Sequence, residues 1–140
     1  MRPPLKYLLF LTLILLFSCD KSVLFVQCSD CTKEEPKTAV IEITINESAI
    51  TNNQETTINI YSGNLEDNVL LVTFKAGSTE PTYTATINKQ YTITATYIIN
   101  GISYNVVGSI YPRVRYVTKQ CTEPCYYIYD KKVNLKLKYT

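Results

Sequence analysis

The segment YTITATYIING (residues 91–101) alternates apolar and polar residues from Tyr91 to Tyr97 and ends in a turn pair. Tyr91, Ile93, Ala95, Tyr97 and Ile99 fall on one side of an extended chain, and Thr92, Thr94 and Thr96 on the other. That period of two belongs to a half-buried strand and is incompatible with an amphipathic helix. Asn100 and Gly101 both tolerate positive φ, so they predict a two-residue hairpin turn into a return strand, ISYNVVGSI. The same alternation recurs in AVIEITI, where Ile41, Ile43 and Ile45 share a face, in TTINIY with Ile58 and Ile60, and in TYTATI with Tyr83, Ala85 and Ile87. The closing VNLKLKY puts Val133, Leu135, Leu137 and Tyr139 inward and Asn134, Lys136 and Lys138 outward. Outward lysines suit a protected edge strand. VLLVTF (69–74) is continuously apolar and reads as a strand buried on both faces; RVRYVT and YYIY are shorter strands.

Threonine, isoleucine, valine and tyrosine dominate the body of the chain, as a pleated surface favours. No sustained helical periodicity follows residue 19. About seven to nine short strands with turn signals between them predict an all-β fold, a single antiparallel β-sandwich. YTITATYIING also resembles a late strand of Ig-like and fibronectin-type-III-like domains, in which Tyr91 takes the structural tyrosine role. Transthyretin-like sandwiches are an equal rival.

The first residues differ from all this. Arg2 and Lys6 precede an apolar run, Tyr7 to Phe17, broken only by Thr12. That run is about half the roughly 20 residues that a bilayer-spanning helix needs, and with its basic flank it fits a secretory signal. It ends in Leu16-Phe17-Ser18-Cys19, which resembles the lipobox of bacterial lipoproteins. Phe17 is bulkier than that pattern usually holds. The resemblance implies cleavage before Cys19 and a diacylglyceryl group on its thiol, and hence a membrane partner reached through lipid. The organisation then reads as 1–18 signal peptide, 19–37 lipidated cysteine with a short tether and a cysteine-containing loop, and 38–140 β-sandwich. The tether DKSVLFVQ (20–27) is expected to pack as a first strand or against the domain, or else to hug the lipid surface. Location follows as the bacterial cell envelope, on the outer membrane, in its periplasmic or its surface-facing leaflet.

Five cysteines are present, an odd number for an exported chain. Lipid on Cys19 leaves Cys28, Cys31, Cys121 and Cys125. Spaced C-x2-C and C-x3-C, they fit structural disulfides in an oxidising compartment, a four-cysteine zinc site or a redox pair. Zinc knuckles usually carry glycine or apolar residues at the turn, which CSDC and CTEPC lack. A redox pair wants a helix N-terminus, whereas Pro36 and a strand follow here. The expectation is two disulfides and no metal, with Cys28 bound to Cys125 and Cys31 to Cys121, as two antiparallel segments would pair them.

Other chemistry is excluded by what the sequence lacks. There is no histidine, so the commonest general base is missing. The four glycines are isolated, with no phosphate loop. Glu34-Glu35 and Glu66-Asp67 lie in turn-like settings, and SGNLEDN (62–68) lacks the acidic spacing of a calcium loop. Without residues 1–18 the chain holds twelve basic and twelve acidic side chains, a neutral balance that offers nucleic acid no general attraction. The chain therefore reads as no enzyme, with no cofactor. The expected function is a non-catalytic envelope interaction or binding module, its partner an envelope protein or a glycan. Two alternatives are an accessory subunit in assembly of a surface structure and a domain stabilised by zinc. Tyrosines give rigid contact area with a polar tip. In CYYIYD alternation leaves one tyrosine set outside, and Tyr127 and Tyr129 are the candidate binding surface.

Overall fold

A computed structural model describes residues 25–51 and 55–138. Its described residues form nine strands: β1 (Thr38–Thr44), β2 (Thr56–Ser62), β3 (Leu70–Lys75), β4 (Thr82–Thr86), β5 (Tyr91–Ile99), β6 (Ile102–Ile110), β7 (Arg113–Val117), β8 (Cys125–Tyr129) and β9 (Lys132–Asn134). A single helical turn, Ser48–Thr51, follows β1.

Two sheets make the sandwich. One has the order β3-β2-β5-β6 and is antiparallel throughout; the other has the order β4-β1-β9. β1 and β4 lie in one sheet and β2, β3, β5 and β6 in the other, so the chain crosses repeatedly between the layers, and β9 flanks β1 on the side away from β4. The inner faces supply the core. Ile41, Ile43 and Ile45 from the β1 segment meet Ile58 and Ile60 of β2 and Ile93, Ala95 and Tyr97 of β5, all essentially inaccessible to water. Each isoleucine so buried contributes roughly 1.5–3 kcal/mol. Tyr91 is buried, accepts a hydrogen bond from the amide of Thr86 at 3.0 Å and donates to its carbonyl at 3.1 Å. It locks the start of β5 to the end of β4.

The β5–β6 hairpin turns at Asn100 and Gly101, with φ of 51° and 77°, and Ile99 lies opposite Ile102. Gly108 occupies mid-strand because β9 packs directly above it. A Cβ there would stand 2.7 Å from Val133 Cγ2 and 2.8 Å from Leu135 Cδ2.

Three expectations need correction. VLLVTF is not buried on both faces: β3 is an edge strand, and Val69, Leu70 and Leu71 are about half exposed. Only Val72 and Phe74 turn toward the core, and a register shift at Ile60/Tyr61 bends the pair at its other end. The sandwich is also not purely antiparallel. β9 runs parallel to β1, pairing Glu42 with Lys132 and Thr44 with Asn134. Val133 and Leu135 are buried and Lys136 and Lys138 exposed, as alternation predicts, while Tyr139 lies outside the described residues. Finally, residues 25–27 form no strand, and Phe25 is 91% exposed. The tether's earlier residues and Cys19 fall outside the described residues.

Candidate functional site: a disulfide-stapled tyrosine ribbon

Strands β7 and β8 leave the sandwich and, among the described strands, pair with each other alone, as a two-stranded ribbon. Proline at 112 and positive φ at Asp130 mark where the chain leaves and rejoins the body. A ribbon of this size is marginal alone, and here it is fastened to the N-terminal segment. Thr32 and Tyr126 exchange backbone hydrogen bonds of 3.0 and 2.8 Å. Disulfides join Cys28 to Cys121 and Cys31 to Cys125, with Cα–Cα distances of 5.7 and 5.5 Å.

The two cysteine motifs therefore meet as expected, but the partners are exchanged relative to the predicted Cys28–Cys125 and Cys31–Cys121. The physical reason is local. Antiparallel pairing between the segments lasts for one bridge, at Thr32 and Tyr126. Before it, Cys28–Asp30 closes into a 3-10 turn, with the Asp30 amide bonded to Gln27 O at 2.9 Å. That turn folds Cys28 back over the loop preceding β8, where its Sγ approaches Gln120 O at 3.6 Å. The sulfurs are crowded: Cys31 and Cys121 Sγ lie 4.0 Å apart, and those of Cys31, Cys121 and Cys125 are within 4.8 Å of one another. A metal would need as free thiolates the sulfurs that the disulfides engage. Three ion pairs surround this pole: Lys33–Glu123 at 3.4 Å, Lys131–Asp30 at 3.8 Å and Lys131–Glu42 at 3.6 Å. Lys132 adds a 2.8 Å pair to Glu42; its hydrogen bond is the main cause that holds the Glu42 carboxyl below its ordinary range, against the opposing effect of burial.

The ribbon register sets its two faces. Arg113 lies opposite Tyr129, Arg115 opposite Tyr127, and Val117 opposite Cys125. Val114 opposite Ile128 and Tyr116 opposite Tyr126 make the other face. Tyr127 and Tyr129, the candidates from sequence, thus share one face with two arginines, and each is half-buried. The Arg113 guanidinium lies 4.9 Å from the Tyr129 ring centroid and 5.8 Å from that of Tyr111, cation–π distances. It also binds Asp130 through Nη2 at 2.5 Å, which raises its already high pKa. Tyr111 donates to Asn88 O at 3.2 Å. On the opposite face Tyr116 and Tyr126 rings pack at 4.9 Å, with Tyr116 53% exposed. Both faces therefore present tyrosine, while the end of the ribbon at Val117 and Cys125 is buried.

Arg113 and Arg115 were missed as site residues. Alternation in RVRYV puts them on one face, but only the pairing with β8 reveals that each faces a tyrosine. The SGNLEDN loop is a plain hairpin loop: Leu65–Asp67 is a 3-10 turn, and Asp67 Oδ2 accepts from the Asn64 amide at 3.2 Å. No protein-family model, curated protein or solved structure matches this chain.

Proposed function

We propose that this chain is a lipid-anchored protein of the bacterial cell envelope whose sandwich is a non-catalytic binding module, presenting the β7–β8 ribbon to an envelope protein or a glycan. The observation that carries this reading is the pair of disulfides that ties an arginine–tyrosine ribbon to the very segment that follows Cys19. A two-stranded ribbon with tyrosine on both faces contributes little to the core, so its conformation is held for contact with something else. Tyr127, Tyr129, Arg113 and Arg115 offer flat aromatic area with donors at its rim, a surface that suits sugar rings or a partner's interface. Phe25, exposed a few residues beyond Cys19, fits a tether whose aromatic side chain rests in the lipid interface.

Two measurements test the parts separately. Cys19→Ala in the full chain should abolish acylation and leave an uncleaved precursor, seen by intact mass and detergent partitioning; a variant that still matures and partitions with membrane would sink the anchor. Replacing Tyr127 and Tyr129 with serine should weaken binding to glycans on an array, or crosslinking to envelope proteins from a photoreactive group at Arg115, with little change in melting temperature. Unchanged binding in both assays would remove the ribbon from the function.

A further inference from the structure

We propose that the open edge of β6 is where two copies of this chain pair, antiparallel about a two-fold axis, so that their four-stranded sheets become continuous. The proposal is independent of the ribbon.

The hairpin geometry states which backbone groups are free. A two-residue turn at Asn100-Gly101 makes Ile99 and Ile102 a hydrogen-bonded pair, and such pairs alternate along an antiparallel ladder. Residues 102, 104, 106, 108 and 110 therefore bond to β5. Ser103, Asn105, Val107 and Ser109 turn their N–H and C=O groups to the open side, where no described strand lies. Long open edges are usually blunted by charge, proline, bulges or shortness. The other edges follow that rule: β3 has a register shift and Lys75, β4 has five residues, and β9 has three, including Lys132. β6 has nine residues and carries no charge and no proline. Ile102, Tyr104 and Val107 are exposed on it at 56%, 41% and 53%.

A second copy fits this edge because β6 is complementary to itself. With the axis at Val106, Ser103 meets Ser109 and Asn105 meets Val107 of the other copy, so all four edge residues find partners. On the inner face Ile102 meets Ile110, Val106 meets Val106, and Tyr104 lies beside Gly108. The match also joins unlike halves. The half of β6 near Ile102 and Tyr104 is uncovered, whereas the half near Gly108 and Ile110 lies beneath Val133 and Leu135. Inverting one copy brings the uncovered apolar half of each beside the covered half of the other. No like charges meet, because β6 contributes none. Two-fold dimers are the commonest closed assembly, and pairing here consumes the edge and stops growth.

The test uses the full chain in a large molar excess of detergent micelles, so that sharing a micelle does not mimic association. Sedimentation velocity should show a concentration-dependent dimer, with amide exchange at Ser103, Asn105, Val107 and Ser109 slowing as the dimer forms. Val107→Lys should return the chain to monomer without lowering its melting temperature. Val106→Cys should give a covalent dimer on mild oxidation, since facing residues at a non-hydrogen-bonded pair stand about 4.5–5.5 Å apart between Cβ atoms. Val72→Cys on β3 should not. A chain that stays monomeric at high micromolar concentration overturns the proposal, as does equal crosslinking at Val72. So does protection of the β6 edge that appears only when a different protein is added.

Discussion

The Tyr97 hydroxyl, from the middle of one sheet, donates a 2.8 Å hydrogen bond to the carbonyl of Leu135 beside the other. It also accepts from the amide of Asn46 at 3.3 Å, and Asn46 Oδ1 in turn accepts from the Leu137 amide at 2.6 Å. Burial pushes the Tyr97 hydroxyl pKa upward, so it remains a donor. This arrangement pins the residues after β9 to the end of β1. Tyr97→Phe should therefore destabilise the fold by about 1–3 kcal/mol, because it strands a buried carbonyl. Thermal denaturation should show a drop of several degrees, with amide exchange rising first around residues 135–137.

Gly108→Ala tests the packing of β9 against β6. The added methyl meets Val133 and Leu135 at distances no relaxed contact allows, and both neighbours are buried. Overpacking of this kind costs about 1–3 kcal/mol. Adding Val133→Ala should recover part of the loss, whereas independent effects would simply sum.

Reduction should loosen the ribbon before the sandwich. Loops closed over 93 and 94 residues make each bridge a strong constraint on the unfolded chain, and losing a native disulfide from a small domain typically costs about 2–5 kcal/mol. Non-reducing peptide maps should link Cys28 to Cys121 and Cys31 to Cys125. A chelator should change neither melting temperature nor mass; release of bound zinc from four free thiols would contradict the pairing.

Acid should expose the Glu42–Lys132 pair. The Glu42 carboxyl has a lowered pKa in the folded chain, chiefly through its hydrogen bond to Lys132. As pH falls the unfolded chain protonates first, so this stabilisation is full above the ordinary glutamate value and is lost as pH falls through the lowered folded one. The raised pKa of Lys132, again from its bond to Glu42, gives the opposite limb: stabilisation is full below the ordinary lysine value and lost as pH rises through the folded one. Urea denaturation of Glu42→Gln at several pH values should show a flatter acid limb than the parent chain.

The core was legible in the sequence because alternation is a local signal. Ile41, Ile43, Ile45, Ile58, Ile60 and Ile93 are buried where period two places them. The Asn100-Gly101 turn was legible for the same reason: its backbone demands belong to two adjacent residues. Edge position is not local. Nothing within VLLVTF states that only one side has a neighbour, so Leu70 and Leu71 read as core but are about half exposed. The parallel docking of β9 and the cysteine partners depend likewise on how remote segments meet. Cys28 and Cys31 were rightly brought to Cys121 and Cys125, but a 3-10 turn reversed the order. Arg113 and Arg115 acquired meaning only from the strand opposite them.

The Cys28–Cys121 bridge also decides where mechanical load would travel. Tension applied between Phe25 and the ribbon passes through a few backbone bonds and one disulfide, bypassing β1 to β6 entirely. Those strands sit inside a closed covalent ring and need bear none of it. A ribbon gripped by a partner could be tugged against the N-terminal segment without unzipping the sandwich, and even an unfolded sandwich would not part the one from the other.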